Sequence, residues 1–213
     1  MQRLRITFSR SGAVCYLAHL EMMRLWERAL RRAGWRLTYS QGYNPHPKIS
    51  FAAPLPVAVA GDAELLDLYL DEPRDPQQAQ LELAGLLPNG IEIRKVEEVP
   101  VESAVLQKLM RAAEYRVQCP PDSSAEGLRL AAGRLLAAES LPRERAKESK
   151  VRSYDLRPMI RDLAVEEGAD GSPELRLLLR TDAQGAGRPD EVLREMGIDP
   201  ADCRITRTRL LLA

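Results

Sequence analysis

Cysteine is scarce in this chain of 213 residues and badly spaced for metal chemistry: Cys15, Cys119 and Cys203 are odd in number and far apart in sequence. No CxxC pair or CxxxCxxC run exists, so thiolates of this chain can build neither a zinc site nor an iron–sulfur cluster. Three small buried thiols in a reducing compartment is the reading that remains. Long apolar runs are lacking as well. No stretch approaches the ~20 apolar residues that span a bilayer, and the opening MQRLRITFSR alternates like a strand where a signal peptide would carry an apolar block. These absences place the protein in the cytoplasm, with no membrane among its partners and no cofactor of its own.

Histidine is limited to His19 and His46. Two histidines do not make a triad, and neither a serine nor a cysteine sits in a recognisable nucleophile setting. A phosphate-binding P-loop is missing too. The small-residue run GAGRP (185–189) leads into a helix but lacks the lysine and hydroxyl that should follow, and reads as a tight β-to-α connection.

What is present is ordinary in bulk and uneven in arrangement. Apolar residues make up 45% and charged residues 29%, as in a soluble globular protein. The length suits two domains of about 100 residues. Net charge is zero, but residues 1–60 hold nine basic side chains against two acidic, a net of +7, whereas residues 61–102 hold three against eleven, a net of −8. Such segregation either presents a basic surface to a polyanion or lets the two segments neutralise each other across a shared sheet.

The hydrophobic periods give the order βαββαβ twice. RLRITF (3–8) alternates as a strand. A helix runs from about Leu17 to Gly34, with Met22, Met23, Leu25, Trp26, Ala29, Leu30 and Ala33 on its apolar face and the six charged residues Glu21, Arg24, Glu27, Arg28, Arg31 and Arg32 opposite. WRLTYS (35–40) and ELLDLYLDE (64–72) read as the next strands. Asp75-Pro76 opens a helix to Leu87, and Asn89-Gly90 turns the chain into the strand IEIRKVEEV. After a helical connector at 103–113, the second half repeats the order with strands at 114–119, 161–168, 174–181 and 203–212, and helices at 123–140 and 188–196. A charged segment at 142–159 interrupts it. Split βαββαβ units form ferredoxin-like sandwiches. The expected fold is therefore α+β, two tandem ferredoxin-like units with antiparallel sheets: residues 1–102 and 114–213, joined by 103–113.

One stretch obeys neither period. In YSQGYNPHPKISF (39–51), Pro45 and Pro47 each fix φ and push Asn44 and His46 toward extended backbone, so the segment is a stiff ribbon that cannot join a central ladder. Stiffness presents side chains at low entropic cost. Tyr39 and Tyr43 can stack or donate, Gly42 permits a turn, and Lys48 suits a phosphate. The ribbon reads either as a recognition edge or as a long connection with Tyr43 and Phe51 tucked into the core. His19 reads as a core histidine, or as an acid–base group if it meets His46 together with Glu21 or Asp67. The basic segment around Tyr154 and Arg157 reads as an exposed arm or as a solvated linker.

Taken together, residues 8–56 closely resemble the signature of a bacterial family of unknown function that is linked to radical S-adenosylmethionine (SAM) enzymes, alone or fused behind them. The matching elements are Phe8, Ser9, Arg10 and Gly12; Tyr16, Leu17, His19, Leu20 and Glu21; Arg31, Arg32 and Gly34; and Ser40, Gly42, Tyr43, Asn44, Pro45, His46, Pro47 and Lys48. YDLRPMI (154–160) and GRPDEVL (187–193) resemble its later motifs. The chain departs where the family usually has serine (Ala18), aspartate (Glu21) and a glycine after the Pro-Leu-Pro run. At the level of fold alone, the doubled βαββαβ order is also similar to the CRISPR repeat-cleaving proteins. The resemblance implies a radical SAM enzyme on a separate chain as partner.

With the charge pattern, it leads to the expectation of an RNA-binding accessory or substrate-recognition protein in RNA modification or maturation. Arg10, Arg24, Arg28, Arg31, Arg32, Lys48 and Arg157 would then meet phosphates, and Tyr43, Asn44 and His46 an unstacked base. Two alternatives stand beside it: a metal-independent RNA-processing enzyme using His19 and His46, and a module that docks the partner enzyme through protein contacts alone.

Overall fold

The computed structural model describes residues 1–120, 122–147, 150–168, 170–182 and 184–213, with the backbone alone at 145–147 and 150–152. It is a mixed α+β structure whose strand pairings are mostly antiparallel, divided into two units: Met1–Met110 with Leu212–Ala213, and Arg111–Leu211.

In the first unit the chain forms β1 (Gln2–Arg10), a 3-10 turn (Gly12–Tyr16), α1 (His19–Arg32), β2 (Ile49–Phe51), β3 (Ala60–Leu70), α2 (Pro76–Ala84), β4 (Ile91–Val99) and the one-turn α3 (Leu106–Leu109). Its strands lie in the order β4-β1-β3-β2, each neighbouring pair antiparallel. Alternation explains the layers. Leu4, Ile6 and Phe8 of β1 and Leu66, Leu68 and Leu70 of β3 are buried on one face, the face on which Trp26 of α1 meets Phe8 edge-on, ring centroids 5.1 Å apart.

Local chemistry sets the helix ends. Glu21 accepts a hydrogen bond from the Ala18 N–H at 2.7 Å, half of a capping box, and Gly34, at φ +70°, takes the left-handed position after α1. Asp75 caps α2 through the N–H groups of Gln77 and Gln78, with Pro76 in the first turn, as the sequence predicts. At the Asn89-Gly90 turn, φ of Gly90 is +95° and a Cβ there would lie 2.3 Å from the Ser11 carbonyl oxygen, so only glycine lets the turn close against β1.

The second strand differs from the sequence reading. Residues 35–40 make only the isolated bridges Leu37 to Leu70 and Tyr39 to Pro47, and the edge position beside β3 belongs to Ile49–Phe51, opposite Leu68, Asp67 and Leu66. Ile49 and Phe51 are buried and Gln107 of α3 ties the strand down, donating to Ser50 Oγ at 2.7 Å and to the Phe51 carbonyl at 2.5 Å. The 103–113 connector is likewise mostly not helical: α3 is four residues long and a strand begins at Met110.

The second unit comprises β5 (Met110–Gln118), α4 (Ala125–Ala137), β6 (Pro142–Lys147), β7 (Lys150–Asp155), β8 (Ile160–Glu167), β9 (Pro173–Asp182), β10 (Gly185–Ala186), α5 (Pro189–Glu195) and β11 (Arg204–Leu212). Its strand order is β11-β5-β9-β8, with β10 also on β9. Tyr115 and Val117 of β5 face Leu177 and Leu175 of β9, all four buried. Among the described residues of the charged segment at 142–159, β6 and β7 pair antiparallel, and at the base of the pair the Asp155 carboxylate accepts from the N–H groups of Leu141 (2.8 Å) and Arg157 (2.9 Å). Among the described residues no helix is long and apolar enough to cross a membrane.

Candidate functional site

The proline-rich stretch is a hydrogen-bonded ribbon. Its base is held by Thr38 N–H to the Tyr69 carbonyl, Lys48 N–H to the Thr38 carbonyl and Tyr69 N–H to the Lys48 carbonyl, at 2.8, 2.8 and 3.1 Å. Higher up, the Ser40 N–H donates to the His46 carbonyl at 2.8 Å. Residues 41–46 form the tip and are all exposed, with Gly42 at φ +141° making the bend. Tyr43 is fully exposed (104%), so it is not part of the core. Asn44 and His46 stand beside it in the open, whereas Lys48 is half-buried with its Nζ 5.9 Å from the Tyr69 ring. The ribbon thus presents an aromatic ring, an amide and an imidazole from a braced backbone.

Seven of the nine basic residues of the first sixty fall into two classes. Arg3, Arg5 and Arg36 are neutralised within the unit. Arg3 is fully buried and donates to Asp67 through Nε (3.0 Å) and Nη2 (2.5 Å), and also to the carbonyls of Ser103 and Ala104. Arg5 joins the same carboxylate at 2.9 Å, which raises the guanidinium's pKa further, chiefly through that hydrogen bond. Arg36 pairs with Glu72. Those on α1 are different: Arg24, Arg28 and Arg31 are exposed and, among the described residues, form no ion pair or hydrogen bond, and Arg32 donates only to the Leu86 carbonyl. The acidic segment therefore answers the basic strand but not the basic helix.

Arg10 lies inside, 3% exposed, its guanidinium donating to the carbonyls of Val14, Cys15 and Leu17. That position pins the turn before α1 and is out of reach of an external phosphate. Arg157 is also engaged by backbone, donating to the carbonyls of Ile160 and Leu136, the latter near the C-terminus of α4, where a cation suits the helix dipole.

The two histidines are not brought into contact: among the described residues no hydrogen bond or ring contact joins His19 to His46. His19, the first residue of α1, is half-buried with its ring edge-on to Phe51, centroids 5.5 Å apart. Its expected acid–base companions are occupied elsewhere, Glu21 by the α1 cap and Asp67 by Arg3 and Arg5. A different acid shares its surroundings. His19, Arg10, Phe51 and Glu64 line a cavity of about 10 Å³, room for one water molecule. Glu64 is 4% exposed and folds over Gly61, where a Cβ would lie 2.7 Å from the Glu64 side chain. The sequence signal for this acid, absent from the motifs, is its phase: Glu64 keeps step with the inward row Leu66, Leu68 and Leu70, as Arg10 does with Leu4, Ile6 and Phe8. Near His19 in the chain, Tyr16 and Leu20 expose 70% and 69% of their surface, and Ala58 holds a left-handed φ of +66°.

The thiols far apart in sequence are not all apart in the fold. Cys119 and Cys203 interact, and burial first, then Cys203, pushes the Cys119 thiol up to about 12; burial also raises Cys15. None is a ready nucleophile at neutral pH. Among the described residues there is no group of three or more metal-ligating side chains.

Residues 3–189 match the sequence profile of DUF2344, described as an uncharacterised protein conserved in bacteria. The chain belongs to this family. The match spans the ribbon, α1 and the His19 cavity as well as most of the second unit, so the site features lie within the family's own extent. No curated protein matches the chain. Among solved structures, a chain of the structure titled "Crystal Structure of a Cbf5-Nop10-Gar1 Complex" is similar at a TM-score of 0.51 and 10% identity. The alignment covers 97% of this DUF2344 chain but 48% of that one, so the present chain spans about half the length of the structure it resembles. At that identity the likeness is one of fold.

Proposed function

We propose that this chain is an RNA-binding, substrate-recognition accessory protein of a radical SAM enzyme carried on a separate chain, acting in the cytoplasm in RNA modification or maturation. In this reading the two units are tandem ferredoxin-like sandwiches, which their strand orders β4-β1-β3-β2 and β11-β5-β9-β8 support. The observation that carries the proposal is the pairing of a braced, fully exposed aromatic tip at Tyr43 with a helix whose arginines lack acidic partners. Stacking on an unpaired base and contacts to its phosphates need those two parts. Tyr43, Asn44 and His46 would meet the base, and Arg24, Arg28, Arg31, Arg32 and Lys48 the backbone. Radical chemistry and its cofactors would belong to the partner, a role that rests on the motif resemblance at residues 8–56.

A second reading, an RNA-processing enzyme, is favoured by one observation: His19 shares a water-sized cavity with the buried Arg10 and Glu64. Crosslinking of cellular RNA to the purified full chain separates the readings. Recognition predicts crosslinks that the Tyr43→Ala, Asn44→Ala double variant loses, with the RNA recovered intact. Crosslinked RNA recovered shortened, and intact with His19→Ala, would replace recognition by catalysis; absence of crosslinks would end both.

A further inference from the structure

The C-terminal half of α1 and the turn Gly85–Pro88 enclose an open cleft of about 710 Å³, lined by Leu25, Arg28, Arg31, Arg32, Leu86 and Leu87 among others. That volume lies in the range of small-ligand sites, roughly 300–1,000 Å³. Three guanidiniums share the cleft. Arg32 is held in place by its 2.7 Å hydrogen bond to the Leu86 carbonyl, on the cleft wall itself. Arg28 and Arg31 are exposed and form no ion pair or hydrogen bond among the described residues, and Glu27, one turn before Arg31, does not bridge to it. The end of the helix dipole, about half a negative charge, offsets only a fraction of three cations. The other half of the lining is apolar: Leu25, Leu86, Leu87 and Pro88.

A ligand for this cleft must supply several anionic oxygens in a small space and an apolar or aromatic body beside them. Guanidinium forks match phosphate oxygens two at a time, and a base or ribose edge covers leucine and proline. We infer that the cleft is a nucleotide-unit site, with phosphate on Arg28, Arg31 and Arg32 and the nucleoside against Leu25, Leu86 and Leu87. Such a unit comes either from an RNA strand or from a free nucleotide. The inference deepens the RNA-recognition reading by adding a contact point separate from the ribbon, and rests on that reading only for the RNA source.

The test uses the full chain, its Arg28→Gln, Arg31→Gln variant and its Tyr43→Ala variant, each with an unchanged thermal midpoint. Arg32 is left in place because it braces the cleft. Binding is measured by anisotropy for a labelled twelve-nucleotide oligouridylate across a salt series, and by calorimetry for ATP. For RNA, losing two phosphate contacts lowers the magnitude of the salt slope by about 1.4, at about 0.7 per contact on a single strand. The expected result is that fall in the double-arginine variant, while Tyr43→Ala weakens binding without changing the slope. ATP binding that depends on Arg28 and Arg31, with no RNA binding, would keep the cleft, assign it to free nucleotides and end the RNA reading. RNA binding whose slope is the same in wild type and the double-arginine variant, with no ATP binding, would overturn the cleft and leave the ribbon reading intact. Binding of neither probe at low salt would overturn both.

Discussion

Ser40 and His46 hold each other across the ribbon: the Ser40 N–H donates to the His46 carbonyl at 2.8 Å, and the His46 N–H donates to Ser40 Oγ at 3.0 Å. The pair closes the base of the exposed six-residue tip that carries Tyr43 and the His46 imidazole. Replacing Ser40 by alanine removes the Oγ acceptor at a place where water can substitute, so its cost to global stability is below about 1 kcal/mol. Local order responds more. Amide exchange at His46 should accelerate in Ser40→Ala while the unfolding midpoint stays put; an unchanged exchange rate would mean that the bond does not brace the tip.

Asp67 is the opposite case, a buried charge whose loss is global. Its carboxylate is 2% exposed and serves the fully buried Arg3 as well as Arg5. Asp67→Ala leaves Arg3 charged and unpaired in the interior, at a cost of about 3–5 kcal/mol. Replacing Arg3 by methionine together with Asp67 by leucine removes both charges and recovers more than half of that loss. Denaturant unfolding of the two variants measures the difference.

The base of the β6–β7 pair should loosen in acid. Backbone hydrogen bonds from Leu141 and then Arg157 hold the Asp155 carboxyl below its ordinary value. A folded-state pKa depressed in this way gives stability that is present above the unfolded value, about 3.9, and is lost as pH falls through the folded value. The protection factors of the Leu141 and Arg157 amides, taken against the intrinsic exchange rate at each pH, should therefore fall below about pH 4 and stay level between neutrality and pH 5. In Asp155→Asn the acid-dependent step disappears.

At the start of α1, Ala18 has the extended backbone of an N-cap (φ −68°, ψ 162°) without a side chain to accept a hydrogen bond. Glu21 already supplies the return half of a capping box. Ala18→Ser should complete it and raise stability by about 1 kcal/mol, read as a shift of the denaturation midpoint. A destabilised variant would show that the hydroxyl finds no free N–H there.

The features legible in the sequence are those decided locally. The amphipathic face of α1, the Asp75-Pro76 cap and the Asn89-Gly90 turn depend on neighbours a few residues away, and the structure has each where the pattern puts it. The second strand depends on a distant partner. Residues 35–40 have the stronger β composition, but Ile49 and Phe51 reach the inward row of β3 in register with Leu68 and Leu66, and three residues between two proline-restricted positions and a turn are too few to show a period. Of the site residues, the ribbon tip was legible because proline and glycine dictate its backbone. Arg10 counts as a phosphate contact by its charge, whereas its phase with Leu4, Ile6 and Phe8 puts it inside. The cleft beside Arg32 was not visible at all, since its wall is a turn more than fifty residues away in sequence.

RNA recognition stands or falls with the unpaired arginines of α1. The most direct measurement is the salt dependence of binding of a single-stranded RNA to the full chain and to a variant with Arg24, Arg28 and Arg31 changed to glutamine. Tight, salt-sensitive binding is expected of the wild type, and a slope smaller by about 2 in the variant, at about 0.7 for each phosphate contact removed. Equal slopes for the two proteins, or no binding by the wild type at low salt, would contradict it.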